Sequence, residues 1–192
     1  MTTYKLYRNK NGLYRISFDN ARKNRRFVAK IPEIIDFFSR GEQLYISAYR
    51  VDGIYLSQSE LRRYECEIAR HFEDCGEYCI IPGFENDSES LMPGDLIAFR
   101  SDKKFDTYKM LEKMFDYFLE TVIIPSNLSW DGFKESLADY MSQPADRYIL
   151  DGSAEYCFTY VDSGDFAIIF DPRRQDVDYV EAELKKIIGL TP

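Results

Sequence analysis

Residues 155–170, EYCFTYVDSGDFAIIF, decide how this chain is read. Two strand-like segments, 155–161 and 166–170, are joined across Asp162-Ser163-Gly164-Asp165. A connection that short joins antiparallel neighbours, because parallel strands need a crossover of about a dozen residues or more. Just before them, 147–150 reads as a further strand, and just after, 177–188 is an amphipathic helix with Gly189 at its C-terminal stop.

Working toward the N-terminus, Ser129 is placed to cap a helix whose inward face carries Trp130, Phe133, Leu137 and Met141. Pro125-Ser126-Asn127 separates it from the strongest helical stripe in the chain: Tyr108, Leu111, Met114, Phe115, Phe118, Leu119 and Val122. A strand over 95–100 precedes that stripe. The order β-α-α-β-β-β-α lacks regular βαβ alternation, so the expected class is α+β, with mainly antiparallel sheets and packed helices.

The first half opens with strands over 4–8 and 13–19, separated by a segment with Asn11-Gly12, a type I′ hairpin signal. A strand over 26–31 is followed by a helix with Pro32 at its first position, Ile34, Ile35, Phe37 and Phe38 as its apolar face, and Gly41 past its end. Segments 44–51 and 54–56 flank Asp52-Gly53 as a second hairpin. Ser57 and Glu60 form a capping box for a helix bearing Leu61, Tyr64, Ile68 and Phe72. A strand over 77–81 ends at Pro82-Gly83. The acidic, turn-rich stretch 85–94 (ENDSESLMPG) then suggests two small subdomains: an N-terminal unit 1–84, a linker 85–94 and a C-terminal unit 95–192.

The 192 residues are 45% hydrophobic, 16% aromatic and 30% charged, a composition that folds rather than stays disordered. Four cysteines are too few for a secreted disulfide scaffold and read as thiols kept reduced. No apolar run approaches the roughly 18 residues of a membrane helix, and the N-terminus lacks the apolar stretch of a signal peptide. The expected setting is cytoplasmic, with no membrane partner.

The net charge of −8 is unevenly spread. Residues 1–40 carry ten Lys/Arg against three Asp/Glu, a net of +7; the other 152 residues carry 15 against 30, a net of −15. An acidic body repels phosphate backbones and attracts basic surfaces. Within the basic start, Arg22, Lys23, Arg25 and Arg26 could grip phosphates, or could be a solvated loop between strands.

Catalytic signatures are sparse. His71 is the chain's one histidine, and Cys66, His71, Cys75 and Cys79 make only a loose metal-ligand series without C-x-x-C or H-x-x-x-H. A thiol or hydroxyl nucleophile would have only His71 as its base. Neither G-x-x-x-x-G-K-[ST] nor G-x-G-x-x-G occurs. The expectation is a non-enzyme with no cofactor and no metal.

The most informative constellation is Asp131, Glu135 and Asp139, three carboxylates in one row of the expected helix. Like charges four apart cost about 0.2–0.5 kcal/mol per pair, so helix stability does not explain the row. It is either a solvated acidic face, relieved in part by Lys134, or a ridge offered to a basic partner. Trp130 would anchor such a contact. Gly132, costing about 0.5–1 kcal/mol in a helix relative to Ala, would leave room for close approach.

The segment Ile124-Pro125-Ser126-Asn127-Leu128-Ser129-Trp130-Asp131-Gly132-Phe133-Lys134-Glu135-Ser136-Leu137 resembles the signature of barstar-like ribonuclease inhibitors, within about residues 95–150. In that family a helix ends in an apolar-Pro step, and an acidic helix after a short loop enters the nuclease's basic active site. The resemblance implies that Asp131 and Glu135 fill the toxin's phosphate site while Phe133 and Leu137 hold the helix in the core. More broadly, the chain looks like immunity proteins of bacterial toxin systems. The function expected is an immunity or inhibitor protein that occludes a basic toxin domain such as a nuclease. The alternatives are a phage or mobile-element nucleic-acid mimic that inhibits a host defence enzyme, and a nucleic-acid-binding accessory protein using the basic segment 22–30.

Overall fold

A computed structural model of the chain describes residues 4–51, 77–84, 94–101, 120–137, 144–161 and 164–189. Within them lies one eight-stranded sheet: β1 (Lys5–Arg8), β2 (Tyr14–Phe18), β3 (Leu44–Val51), β4 (Tyr78–Phe84), β5 (Gly94–Ser101), β6 (Glu120–Pro125), β7 (Tyr156–Val161) and β8 (Phe166–Phe170). Its spatial order is β1-β2-β8-β7-β6-β3-β5-β4, and every neighbouring pair is antiparallel. The helices are α1 (Arg25–Val28), α2 (Ile31–Ser39), α3 (Trp130–Leu137), α4 (Pro144–Leu150) and α5 (Val177–Ile188). The molecule is α+β.

Strand alternation sends side chains to two separate cores. Ile16, Phe18, Leu44, Ile46, Ile123, Phe158, Ile168 and Phe170 share one face with Phe27 of α1, Ile34 and Phe38 of α2, and Val180 and Leu184 of α5. Tyr45, Val122, Ile124, Cys157 and Ile169 lie on the other, with Phe133 and Leu137 of α3 and Tyr148 and Ile149 of α4. Helices therefore cover both faces, and β8 is buried along its whole length. On the second face the paired positions Ser17, Ala167, Thr159, Val122, Ser47 and Ala98 are all small and all buried.

The division expected at 85–94 does not divide the sheet. Strands from both sides of it interleave, β2 beside β8 and β3 between β5 and β6. A polar, turn-rich composition carries no information about which strands pair across the chain.

Several local expectations are corrected. Residues 26–31, read as a strand, begin in α1, whose first turn is capped by Asn24 Oδ1 accepting from Phe27 N at 3.2 Å. Residues 147–150 are the end of α4, not a strand. Val122 belongs to β6 and not to a helical stripe; the other stripe residues, the Ser57 capping box and the 54–56 segment lie outside the described residues. β4 runs past Pro82-Gly83 to Phe84 through a register shift, which an edge strand tolerates because its outer N–H groups need no partner. At the β1–β2 turn only Gly12 has positive φ (+82°), whereas a type I′ turn needs two such residues. Asn9 builds the turn instead, its Oδ1 accepting from the N–H groups of Asn11 and Leu13, both at 3.0 Å.

Candidate functional site

The acidic helix α3 starts where β6 ends. Ser126 Oγ donates to the Ser153 carbonyl at 2.7 Å and accepts from Leu128 N at 3.2 Å, which fixes the connecting loop. Ser129 then caps the helix, its Oγ accepting from Gly132 N at 3.1 Å. Phe133 and Leu137, four apart, are fully buried and seat the helix against the sheet.

Trp130 is half-buried and leans on Tyr45 of β3 (ring centroids 6.2 Å, 16° between planes) and on Phe133 (5.8 Å). Tyr45 is itself stacked on Phe133 at 4.7 Å, and its hydroxyl donates to the Leu128 carbonyl. Burial holds the Tyr45 phenol above its ordinary pKa, so it stays a neutral donor. The indole thus rests on a fixed aromatic base.

On the outside, the Asp131 side chain is 82% exposed and Lys134 Nζ lies 2.8 Å from its Oδ1. The same ammonium sits over the Trp130 ring, 5.7 Å from its centroid. The carboxylate bond raises the Lys134 pKa and keeps it charged. Glu135 is exposed, and no ion pair to it occurs among the described residues. Asp139, the third of the row, and Met141 lie outside the described residues. Glu77 pairs with Arg100 at 3.1 Å, and Arg100 is the register partner of Tyr45 across β3 and β5.

Two carboxylates that follow α3 in the chain, Asp146 and Asp151, have partners of their own. Asp146 on α4 is buried, and its Oδ2 accepts from Asn9 Nδ2 at 2.7 Å and Asn11 Nδ2 at 2.6 Å, tying α4 to the β1–β2 turn. Gly132 has a local reason: a Cβ there would stand 3.2 Å from the capping Ser129 Oγ. Asp151 is exposed and accepts from Ser153 N at 2.8 Å. Glu42 lies beside the loop, within 3.4 Å of Asn127 Nδ2, its pKa raised by burial and by the Glu155 charge.

The basic segment lies with the opposite core. Arg22 and Lys23 belong to a 3-10 turn (Ala21–Lys23), and Arg25 and Arg26 open α1. Ala21 and Phe27 are buried while Lys23, Arg25 and Arg26 are exposed. It is a helical turn and not an open loop, because Asn24 caps it and Phe27 has a core to enter. Of the Cys66, His71, Cys75 and Cys79 series only Cys79 is described; it sits on β4, its thiol pKa raised by burial. Cys157 is fully buried and its thiol is pushed well up by the same cause.

Missing from the sequence reading were Tyr45 and the double engagement of Lys134. The i,i+3 spacing of Asp131 and Lys134 signalled the ion pair; the aromatic base needs β3 to pass beneath α3, which no local pattern shows. The element order that the inhibitor resemblance implies also differs here, since strand β6 and not a helix runs into Ile124-Pro125, and helix α4 and not a strand follows α3. Among the described residues, no helix is long and apolar enough to cross a membrane. Comparison with protein-family models, with curated proteins and with solved structures returns no match.

Proposed function

We propose that this chain is a binding protein of the immunity or inhibitor kind, which presents α3 to a basic toxin domain, most plainly a nuclease, and blocks it by occupying its cationic site. The observation that carries this reading is the arrangement of one helix: Phe133 and Leu137 are locked in the core while Asp131 and Glu135 stand in solvent on the outside. Exposed carboxylates on a rigid support lose little conformational entropy on docking. The net −15 of the residues after 40 would steer a basic partner, with association falling as salt rises. Trp130, half-buried at the centre, is the aromatic anchor of such a contact.

The test uses the full chain as bait in lysate of its native cell, followed by mass spectrometry. A basic protein captured at physiological salt by the wild type and lost with D131A/E135A supports the reading. Equal capture by both baits, or no basic protein among those captured, overturns it.

A second reading rests on Lys23, Arg25 and Arg26, exposed together and without a carboxylate partner among the described residues. Retention of the chain on immobilised RNA or DNA at physiological salt, abolished by neutralising these residues, would favour a nucleic-acid-binding accessory role.

A further inference from the structure

We propose that the outer face of Trp130 and the Asp131 carboxylate form a seat for an arginine side chain of the partner, and that Lys134 occupies this seat in the free protein. The inference deepens the reading above and rests on it for the partner's basic character. Three features build the seat. The indole is backed by Tyr45 and Phe133, so its outer face is held in place before anything binds. The Asp131 carboxylate stands beside that face, largely in solvent. A cation is already there: Lys134 Nζ at 2.8 Å from Asp131 Oδ1 and 5.7 Å from the ring centroid satisfies the carboxylate and the ring together.

The ring's negative face and the carboxylate's charge act on the same point, and both favour a cation. Guanidinium suits the place better than ammonium. It is planar, so it lies flat on an indole, it is more weakly hydrated, and it meets a carboxylate with two parallel hydrogen bonds. Lys134, tethered one helical turn away, competes by proximity. It shields the seat from weak cations in the free protein and yields to an arginine delivered by a larger interface.

Trp130 is the only tryptophan of the chain, so its fluorescence reports on the seat alone. The probes are hexa-arginine and hexa-lysine, titrated at matched ionic strength into the full chain as wild type, K134M, D131N and, as a control on the other side of the sheet, D178N at the exposed Asp178 of α5. Circular dichroism checks that each variant is folded. Hexa-arginine should change Trp130 emission saturably and bind more tightly than hexa-lysine. Because removing the resident ammonium frees the ring and the carboxylate together, and both of its contacts are weak surface ones, K134M should tighten binding about three- to tenfold. D131N should weaken it several-fold, and D178N should leave it unchanged. Binding seen by calorimetry without a change in Trp130 emission, K134M no tighter than wild type, or no binding by either would overturn the seat. The two readings fail separately: a basic partner captured through Asp131 and Glu135 without gain in K134M leaves the function and removes the seat. A seated peptide with no basic partner captured does the reverse.

Discussion

Ser129 Oγ accepts the Gly132 N–H at 3.1 Å, and a Cβ on Gly132 would stand 3.2 Å from that same oxygen. The cap and the glycine are therefore one device. Replacing Ser129 by Ala should cost about 1 kcal/mol through loss of the cap. Gly132→Ala alone should be close to neutral, since its helix-propensity gain of about 0.5–1 kcal/mol is offset by displacing Ser129. In the Ser129→Ala background the full gain should appear. Urea denaturation of the two single variants and the double variant measures the coupling; strictly additive effects would separate glycine from cap.

Asp171, just past β8, is nearly inaccessible and grips Arg173 through a fork: Nε to Oδ1 at 2.9 Å, Nη2 to Oδ2 at 2.8 Å, with Arg173 N donating to Oδ1 at 2.9 Å. These bonds, the Arg173 side chain first, hold its pKa below the ordinary 3.8. A depressed carboxylate pKa adds stability that is complete above the unfolded value and is lost as pH falls through the folded one. Asp171→Asn should cost about 1–2 kcal/mol near neutrality and progressively less as pH falls below 3.8, as read from thermal melts across pH.

At the alkaline end the sign reverses. Burial raises Tyr148 and Tyr156 to about 12 from 10.0, so the folded chain keeps both phenols protonated after the unfolded chain has begun to lose them. Stability is complete below pH 10 and declines as pH rises from 10 toward 12. Tyrosinate absorbance should show a class of late-titrating phenols that Tyr148→Phe and Tyr156→Phe each reduce. Titration of both at the ordinary pH in the folded chain would contradict their burial.

Arg15 Nη2 reaches diagonally over β8 to donate to Thr159 Oγ1 at 3.3 Å, while its Nε is shielded and has no hydrogen-bond partner among the described residues. A shielded donor without an acceptor is a cost that an apolar side chain of similar length removes. Arg15→Met should leave stability unchanged or raise it by up to about 1 kcal/mol. Thr159→Val should cost about 1 kcal/mol in the wild type and nothing beside Arg15→Met. Denaturant titration of the four chains decides the matter.

Alternating apolar residues and turn chemistry were enough to place β1, β2, β3, β5, β7, β8, α2, α3 and α5, because each of these elements is set by its own period and caps. Asp176, for example, accepts from the N–H groups of Asp178 and Tyr179, and Gly189 at φ +73° stops the helix after its twelve residues. Short segments misled for a stated reason: 147–150 has strand-forming residues but is packed as a helix by Tyr148 and Ile149, and four residues are too few for a period to declare itself.

What the sequence by itself determined, then, is the α+β class, the antiparallel habit and the acidic row at Asp131 and Glu135, all properties of near neighbours along the chain. Only the tertiary structure decided that both halves share one sheet, that the basic turn and the acidic helix belong to opposite cores, and that Tyr45 props Trp130 beneath Lys134. Strand pairing and ring stacking join residues that lie up to about a hundred and fifty positions apart, as β2 and β8 do. Those contacts are selected by the burial of whole faces, which no window of local sequence contains.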